Sequence, residues 1–256
     1  MNIFRSTKIL NLNMLNKFNA TKVIRLSLFL TFFGHSLVSF GLSPSYSLHF
    51  KLVESINFLD LDTKLILYIH AFFDLVIAIL LLTLKSYKNL IKFIILYLLF
   101  VASISLVFYW QQTSEIFGLA ECLRRFPWIM FCVFLLTKKL HFIRMGVSLA
   151  FLSHGLASLE ILGMNQGHIE IANQFLSIGN AKLFVKITGF SDLLIGAFLL
   201  LSIYAKQISF IASIWIAIIV LASLFYAIPD AIFRSGFLIP CIYVFMNKET
   251  HLPKLV

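Results

Sequence analysis

Two blocks of this chain repeat each other, and the residues that recur include ionisable ones that a lipid bilayer disfavours. The stretch from Arg25 to His35 aligns without a gap with Arg144 to His154, and Lys64 to Asp74 aligns with Lys182 to Asp192. With one insertion or deletion, Phe108 and Tyr109 match Phe225 and Tyr226; with a second, Glu121, Arg125 and Cys132 match Asp230, Arg234 and Cys241. Apolar matches are common between any two apolar helices, whereas matched Arg, His and Asp are not. A period of this length sets the architecture before any local reading does. It predicts two homologous halves.

Each half offers four stretches of the length that crosses a hydrocarbon core, which takes about 20 mostly apolar residues. In the first half these run from Val23 to Leu42, Lys64 to Leu84, Leu90 to Trp110 and Gly118 to Leu136. In the second they run from Phe142 to Leu162, Lys182 to Tyr204, Ile208 to Ala227 and Asp230 to Met246. Hydrophobic residues make up 60% of the chain and charged ones only 12%, against about 25% charged in soluble domains. The expected fold is all-α: a polytopic transmembrane bundle of eight helices, arranged as two parallel four-helix repeats. The fourth segment of each repeat is the shortest apolar run and carries charge in its first turns. Pro127, Pro229 and Pro240 fall in or beside these segments, where a kink is expected.

The basic residues fix an orientation. With eight crossings and the N-terminus inside, Arg5, Lys22, Arg25, Lys85, Lys138 and Arg144 are among those collecting on the inner side, and only seven of the 21 Lys and Arg fall elsewhere. Positive-inside bias then puts both termini in the cytoplasm of a cell-membrane protein. Residues 1–22 form a basic leader, 23–137 the first repeat, 142–246 the second and 247–256 a tail. The leader has no signal-peptide cleavage pattern. The loops from Ser43 to Thr63, with Asp60, and from Gly163 to Ala181, with His168, face outward and fold over the outer mouth. The net charge of +10 is dispersed at helix ends and forms no stripe for nucleic acid. The bilayer itself is the expected partner, with a lipophilic small molecule or subunits of a membrane complex beside it.

The sharpest candidate site is a His and an Asp in each half. His35 lies roughly 18 Å along the first helix, and Asp74 roughly 15 Å along the second counted from the other side. In a core about 30 Å thick both reach similar depth. The same holds for His154 and Asp192. Ionisable side chains inside a membrane are costly and point to function: a proton relay, an anchor for a quinone-like head group, or metal or haem ligation through the two histidines. The competing reading is a polar pair that pins helix packing. His70 stands one turn before Asp74, on its face of the helix; its counterpart is Thr188, so the first half is the richer one.

A second candidate group is an outer vestibule for an anionic ligand. It comprises Glu121 with Arg125, Asp230 with Arg234, and Lys64 and Lys182 at the start of the second helix of each half. Arginine supplies a planar anion-binding fork. The plainer reading is exposed intrahelical ion pairs of little net value. Cys122, Cys132 and Cys241 form no metal or redox spacing. No phosphate loop, zinc-protease or esterase motif occurs, and no metal-ligand set is assigned.

The repeat unit resembles the DoxX-like membrane proteins. The resemblance rests on an Arg entering the first helix, a Gly and His about ten residues later (Gly34-His35, then His154-Gly155), and an acidic residue opening Asp192-Leu-Leu-Ile-Gly; the first copy reads Asp74-Leu-Val-Ile-Ala. The family includes a subunit of a thiosulfate:quinone oxidoreductase, so the resemblance implies a quinone-linked redox component or lipophilic-ligand-binding subunit. A quinone or haem is the cofactor this reading admits. The alternatives are a proton-coupled transporter or permease and a structural or assembly subunit of a membrane complex.

Overall fold

The structure, a computed structural model, describes residues 19–55, 57, 61–112, 119, 122–159, 166–173 and 176–250. Among them the regular structure is helical. Ten helices occur there: α1 (Ala20–Ser39), α2 (Tyr46–Ser55), α3 (Thr63–Thr83), α4 (Lys88–Gln112), α5 (Phe126–Thr137), α6 (His141–Ser158), α7 (Gln166–Asn173), α8 (Ile178–Leu200), α9 (Ala205–Tyr226) and α10 (Ile228–Met246), followed by a 3-10 turn at Lys248–Thr250.

Local chemistry sets several boundaries. Asn19 accepts from the Thr21 amide at 2.9 Å and Asp62 from the Lys64 amide at 2.9 Å; both are side-chain caps that satisfy an otherwise orphaned donor. Helix α1 therefore starts three residues before the apolar run does. Pro127 and Pro229 sit in the first turns of α5 and α10, where a missing N–H costs nothing. They start helices rather than kink them, and only Pro240 lies inside one.

Among the described residues, five helices are long and apolar enough to cross a membrane, α3, α4, α8, α9 and α10. Their outward faces carry exposed Leu65, Phe72, Leu96, Phe100, Ile187 and Phe225, side chains that a water-facing surface does not gather in such numbers. The molecule is a membrane-embedded helical protein on these grounds. Three of the eight expected crossings depart from the sequence reading. The 20 residues of α1 and 18 of α6 have the length, but Lys22, Arg25 and His35 in one and His141, Arg144 and His154 in the other, together with the buried serines of their inward faces, lower their apolarity. Helix α5 has 12 residues, roughly 18 Å, because Pro127 places its start at Phe126 instead of Gly118.

Packing follows the chain around a ring. Helix α1 packs on α3 and on α10, while α6 packs on α5 and on α8; α9 joins α8 to α10. One core serves both halves, with Ile24 and Leu28 of α1, Phe131 and Phe134 of α5, and Leu199 of α8 all fully buried or nearly so. Small residues allow the tight crossings, as in membrane bundles generally. A Cβ on Gly34 would meet the Phe233 backbone nitrogen at 2.5 Å, and one on Gly196 the Leu152 Cγ at 2.7 Å. The glycine of Asp192-Leu-Leu-Ile-Gly is thus a contact point of α8 with α6; Ala78 fills the matching place in α3 and is fully buried.

At one end of the bundle, Arg25 donates to the carbonyls of Leu81 and Leu84 at 2.7 and 2.8 Å, closing the C-terminal turn of α3. Lys138 reaches Thr21 and Tyr87 at the same end. Arg144 donates to the Thr250 carbonyl at 3.0 Å. The basic residues read as topology determinants are therefore also helix-end donors.

Candidate functional site

Helices α1 and α3 run antiparallel, and their contact brings His35 onto Asp74. His35 Nδ1 lies 2.6 Å from Asp74 Oδ2, and the carboxylate is nearly completely buried. His70, one turn before Asp74 on α3, points its Nε2 at the same Oδ2 across 3.6 Å. Tyr97 of α4 completes the group: its hydroxyl is 2.6 Å from His70 Nδ1 and donates to Asp74 Oδ1 at 3.1 Å. A phenol has one proton. Since that proton goes to the carboxylate, which only accepts, the Tyr97 oxygen accepts from His70 Nδ1–H. His70 Nε2 is then the ring nitrogen turned to the Asp74 carboxylate.

Helix α1 ends four residues after His35, roughly 6 Å on, whereas α3 runs roughly 16 Å from its start to Asp74. The difference is covered by the chain after α1. Helix α2 places the His49 ring 4.8 Å from that of His35, with its Nδ1 3.3 Å from Ser39 Oγ. Burial, then the nearby His35, His70 and Arg125, hold His49 well below the usual imidazole range, so it is neutral. The connection from α1 to α3 thus folds back over the site.

His35, His70, Asp74 and Tyr97 line a small cavity together with Thr31, Phe32, Leu98, Val101, Arg125, Trp128 and Phe233. Its free volume is about 30 Å³. The residues come from α1, α3, α4, α5 and α10, and from Arg125 in the turn before α5, so both halves close it.

The second half repeats part of the arrangement. His154 Nδ1 is 2.6 Å from Asp192 Oδ2, and the Trp215 indole N–H donates to Asp192 Oδ1 at 3.0 Å. Thr188, in the place of His70, turns its hydroxyl to the Val185 carbonyl of its own helix. The His154 side chain is 37% exposed against 15% for His35, so this pair is the more open one.

The charged residues expected at an outer vestibule divide. Asp230 is buried and accepts from Arg234 Nη1 at 3.2 Å, from Ser45 Oγ at 2.8 Å and from Ser43 Oγ. It is a clamp on the α1–α2 connection rather than half of an exposed pair. Arg125 lies in a turn ahead of α5 and lines the cavity, while Glu121 lies outside the described residues. Lys64 is exposed in the first turn of α3 and Lys182 in the second turn of α8, and neither lines the cavity. Asp60 and the His168 side chain also lie outside the described residues.

Sequence reasoning found His35, Asp74, His70, His154 and Asp192, and missed Tyr97, Trp215 and His49. A signal existed for each. Tyr97 and Trp215 both follow their carboxylate by 23 residues, and His49 follows His35 by the same fourteen residues that separate His168 from His154. Compared with protein-family models, with curated proteins and with solved structures, the chain matches none of them.

Proposed function

We propose that the chain is a multi-pass membrane protein of permease type that binds a small hydrophilic solute or ion at the His35, His70, Asp74 and Tyr97 site. The observation that carries this reading is the cavity's size against its lining: about 30 Å³, bounded by two imidazoles, a carboxylate, a phenol and a guanidinium. An apolar cavity that admits a benzene-sized ring measures about 150 Å³, whereas a water needs about 10–15 Å³. A water or an ion fits wholly within this space.

The second half's pair belongs to this reading as a structural pin joining α6, α8 and α9. The two-repeat, eight-crossing arrangement with both termini cytoplasmic, and with it the DoxX-like resemblance, is part of the proposal. It is supported by the matching 2.6 Å His–Asp separations and the shared 23-residue offset of the aromatic donors. The ring of neighbours adds to that support, since the first helix of each half packs on the fourth of the other.

The test uses Thr31→Cys, a near-isosteric change in the cavity wall, with the three native cysteines replaced by alanine. A small charged thiosulfonate added from water is expected to modify the introduced thiol faster than a lipophilic maleimide does, and added short-chain ubiquinone leaves the rate unchanged. Modification only from the lipid phase, or protection by the quinone, would overturn the reading in favour of a lipophilic ligand.

A further inference from the structure

The geometry points to a binding site for a single late first-row transition-metal ion, ligated by His35, His70 and Asp74. This inference rests on the reading of the cavity as a site for a small hydrophilic guest and names its class. The three donor atoms all lie within 4.8 Å of one another. Donors around a tetrahedral ion at about 2.0–2.2 Å stand about 3.3 Å apart, and the Asp74 oxygen is already 2.6 Å from His35 Nδ1 and 3.6 Å from His70 Nε2. Small side-chain shifts bring all three into range.

Two further features favour an ion over a simple packing cluster. The Tyr97 hydroxyl occupies His70 Nδ1, which leaves Nε2 as the ring nitrogen that faces a carboxylate oxygen. These two atoms, 3.6 Å apart, are the pair that an ion seated between them would take. Tyr97 also holds the far oxygen of Asp74, so one residue orients two ligands, the outer-shell arrangement common to biological metal sites.

The donor set selects the ion. Calcium and magnesium rely on several oxygen ligands, and this cavity offers one carboxylate with the Arg125 guanidinium in the same wall. That positive charge penalises ions bound by electrostatics alone. Zinc, cobalt and copper are bound through imidazole lone pairs and suffer less. Thr188 replaces His70 in the second half, so the stoichiometry is one ion per chain.

The experiment takes the full chain, purified in detergent on a tag without histidines, and titrates it with Co²⁺ and Zn²⁺. One Co²⁺ per chain is expected, with the ligand-field bands of a four- or five-coordinate ion that Zn²⁺ displaces and Mg²⁺ or Ca²⁺ does not. His70→Thr, which installs the second half's residue, is expected to abolish the bands, and His154→Gln to leave them intact. Tyr97→Phe keeps all three ligands and is expected to weaken binding about 10–100-fold, an effect readable even if His70→Thr fails to fold. Absence of binding at sub-millimolar Zn²⁺, or Co²⁺ bands insensitive to both His70→Thr and Tyr97→Phe, overturns the inference. Aqueous access to the thiol of the Thr31→Cys variant without metal binding would remove the metal and keep the hydrophilic site. Loss of both would remove both.

Discussion

The Tyr97 hydroxyl donates to Asp74 Oδ1 at 3.1 Å while His35 Nδ1 meets Asp74 Oδ2 at 2.6 Å, so each oxygen of one buried carboxylate is fixed from a different neighbouring helix. Asp192 is held in the same manner by Trp215 and His154. A carboxylate inside a membrane protein is tolerated only when its lone pairs are answered. For both carboxylates an aromatic side chain with a polar tip supplies that answer, Tyr97 from α4 and Trp215 from α9.

The two donors differ in how many groups depend on them. Trp215 satisfies one carboxylate oxygen, whereas Tyr97 satisfies Asp74 Oδ1 and also accepts from His70. Tyr97→Phe is therefore expected to destabilise more than Trp215→Phe. Each buried group left unsatisfied costs about 1–3 kcal/mol. Thermal unfolding in detergent compares them, and an equal or reversed order would remove Tyr97 from the centre of the network.

Removing one partner of the first pair is expected to be worse than removing both. His35→Ala leaves an ionised carboxylate with half its partners, and breaking a buried pair in this way costs about 3–5 kcal/mol. The double change His35→Ala with Asp74→Ala leaves no charge to compensate. A double-mutant cycle on unfolding free energies measures the coupling. Strict additivity would mean that the 2.6 Å contact carries no energy of its own.

The tight crossings make a prediction independent of the polar site. Gly34→Ala places a methyl group against the Phe233 backbone, and Gly155→Ala places one 2.7 Å from the Gly189 carbonyl. Overpacking of this kind costs about 1–3 kcal/mol. Gly179→Ala, with nothing within 4 Å of its new methyl, is expected to leave unfolding unchanged. The melting temperatures of the three variants decide whether α1–α10 and α6–α8 are the close contacts of the bundle.

Much of this arrangement is legible in the sequence because ionisable residues are rare in apolar helices. His35, Asp74, His154 and Asp192 stand out for that reason, and helix parity brings each pair to one level. Tyr97 and Trp215 do not stand out, since aromatic residues are ordinary in a membrane sequence and only their polar tips matter here. His49 is hidden differently: it belongs to a connection whose return over the site depends on where α1 ends. The starts of α1 and α5 are set by Asn19 and Pro127, local chemistry that the apolar run does not record. Asp230 reads as an exposed partner of Arg234 because the i, i+4 spacing shows the neighbour on its own helix and nothing of Ser43 and Ser45.

That clamp carries the last prediction. Asp230 receives Ser43, Ser45 and Arg234 on its two oxygens, and so ties α10 to the segment leading into α2 and His49. Asp230→Asn keeps the shape but leaves one accepting oxygen, so at least one of these donors loses its partner. Hydrogen bonds to a charged group contribute about 1.5–3 kcal/mol each. The loss falls on a connection, which opens locally at lower cost than the helices around it. Amide exchange over residues 41–55 is expected to accelerate about tenfold or more, a factor of ten corresponding to about 1.4 kcal/mol. Exchange in α3 and α8 stays as it was. Unchanged exchange at residues 41–55 would show that α2 is held over His35 by its own contacts with α3 and owes nothing to Asp230.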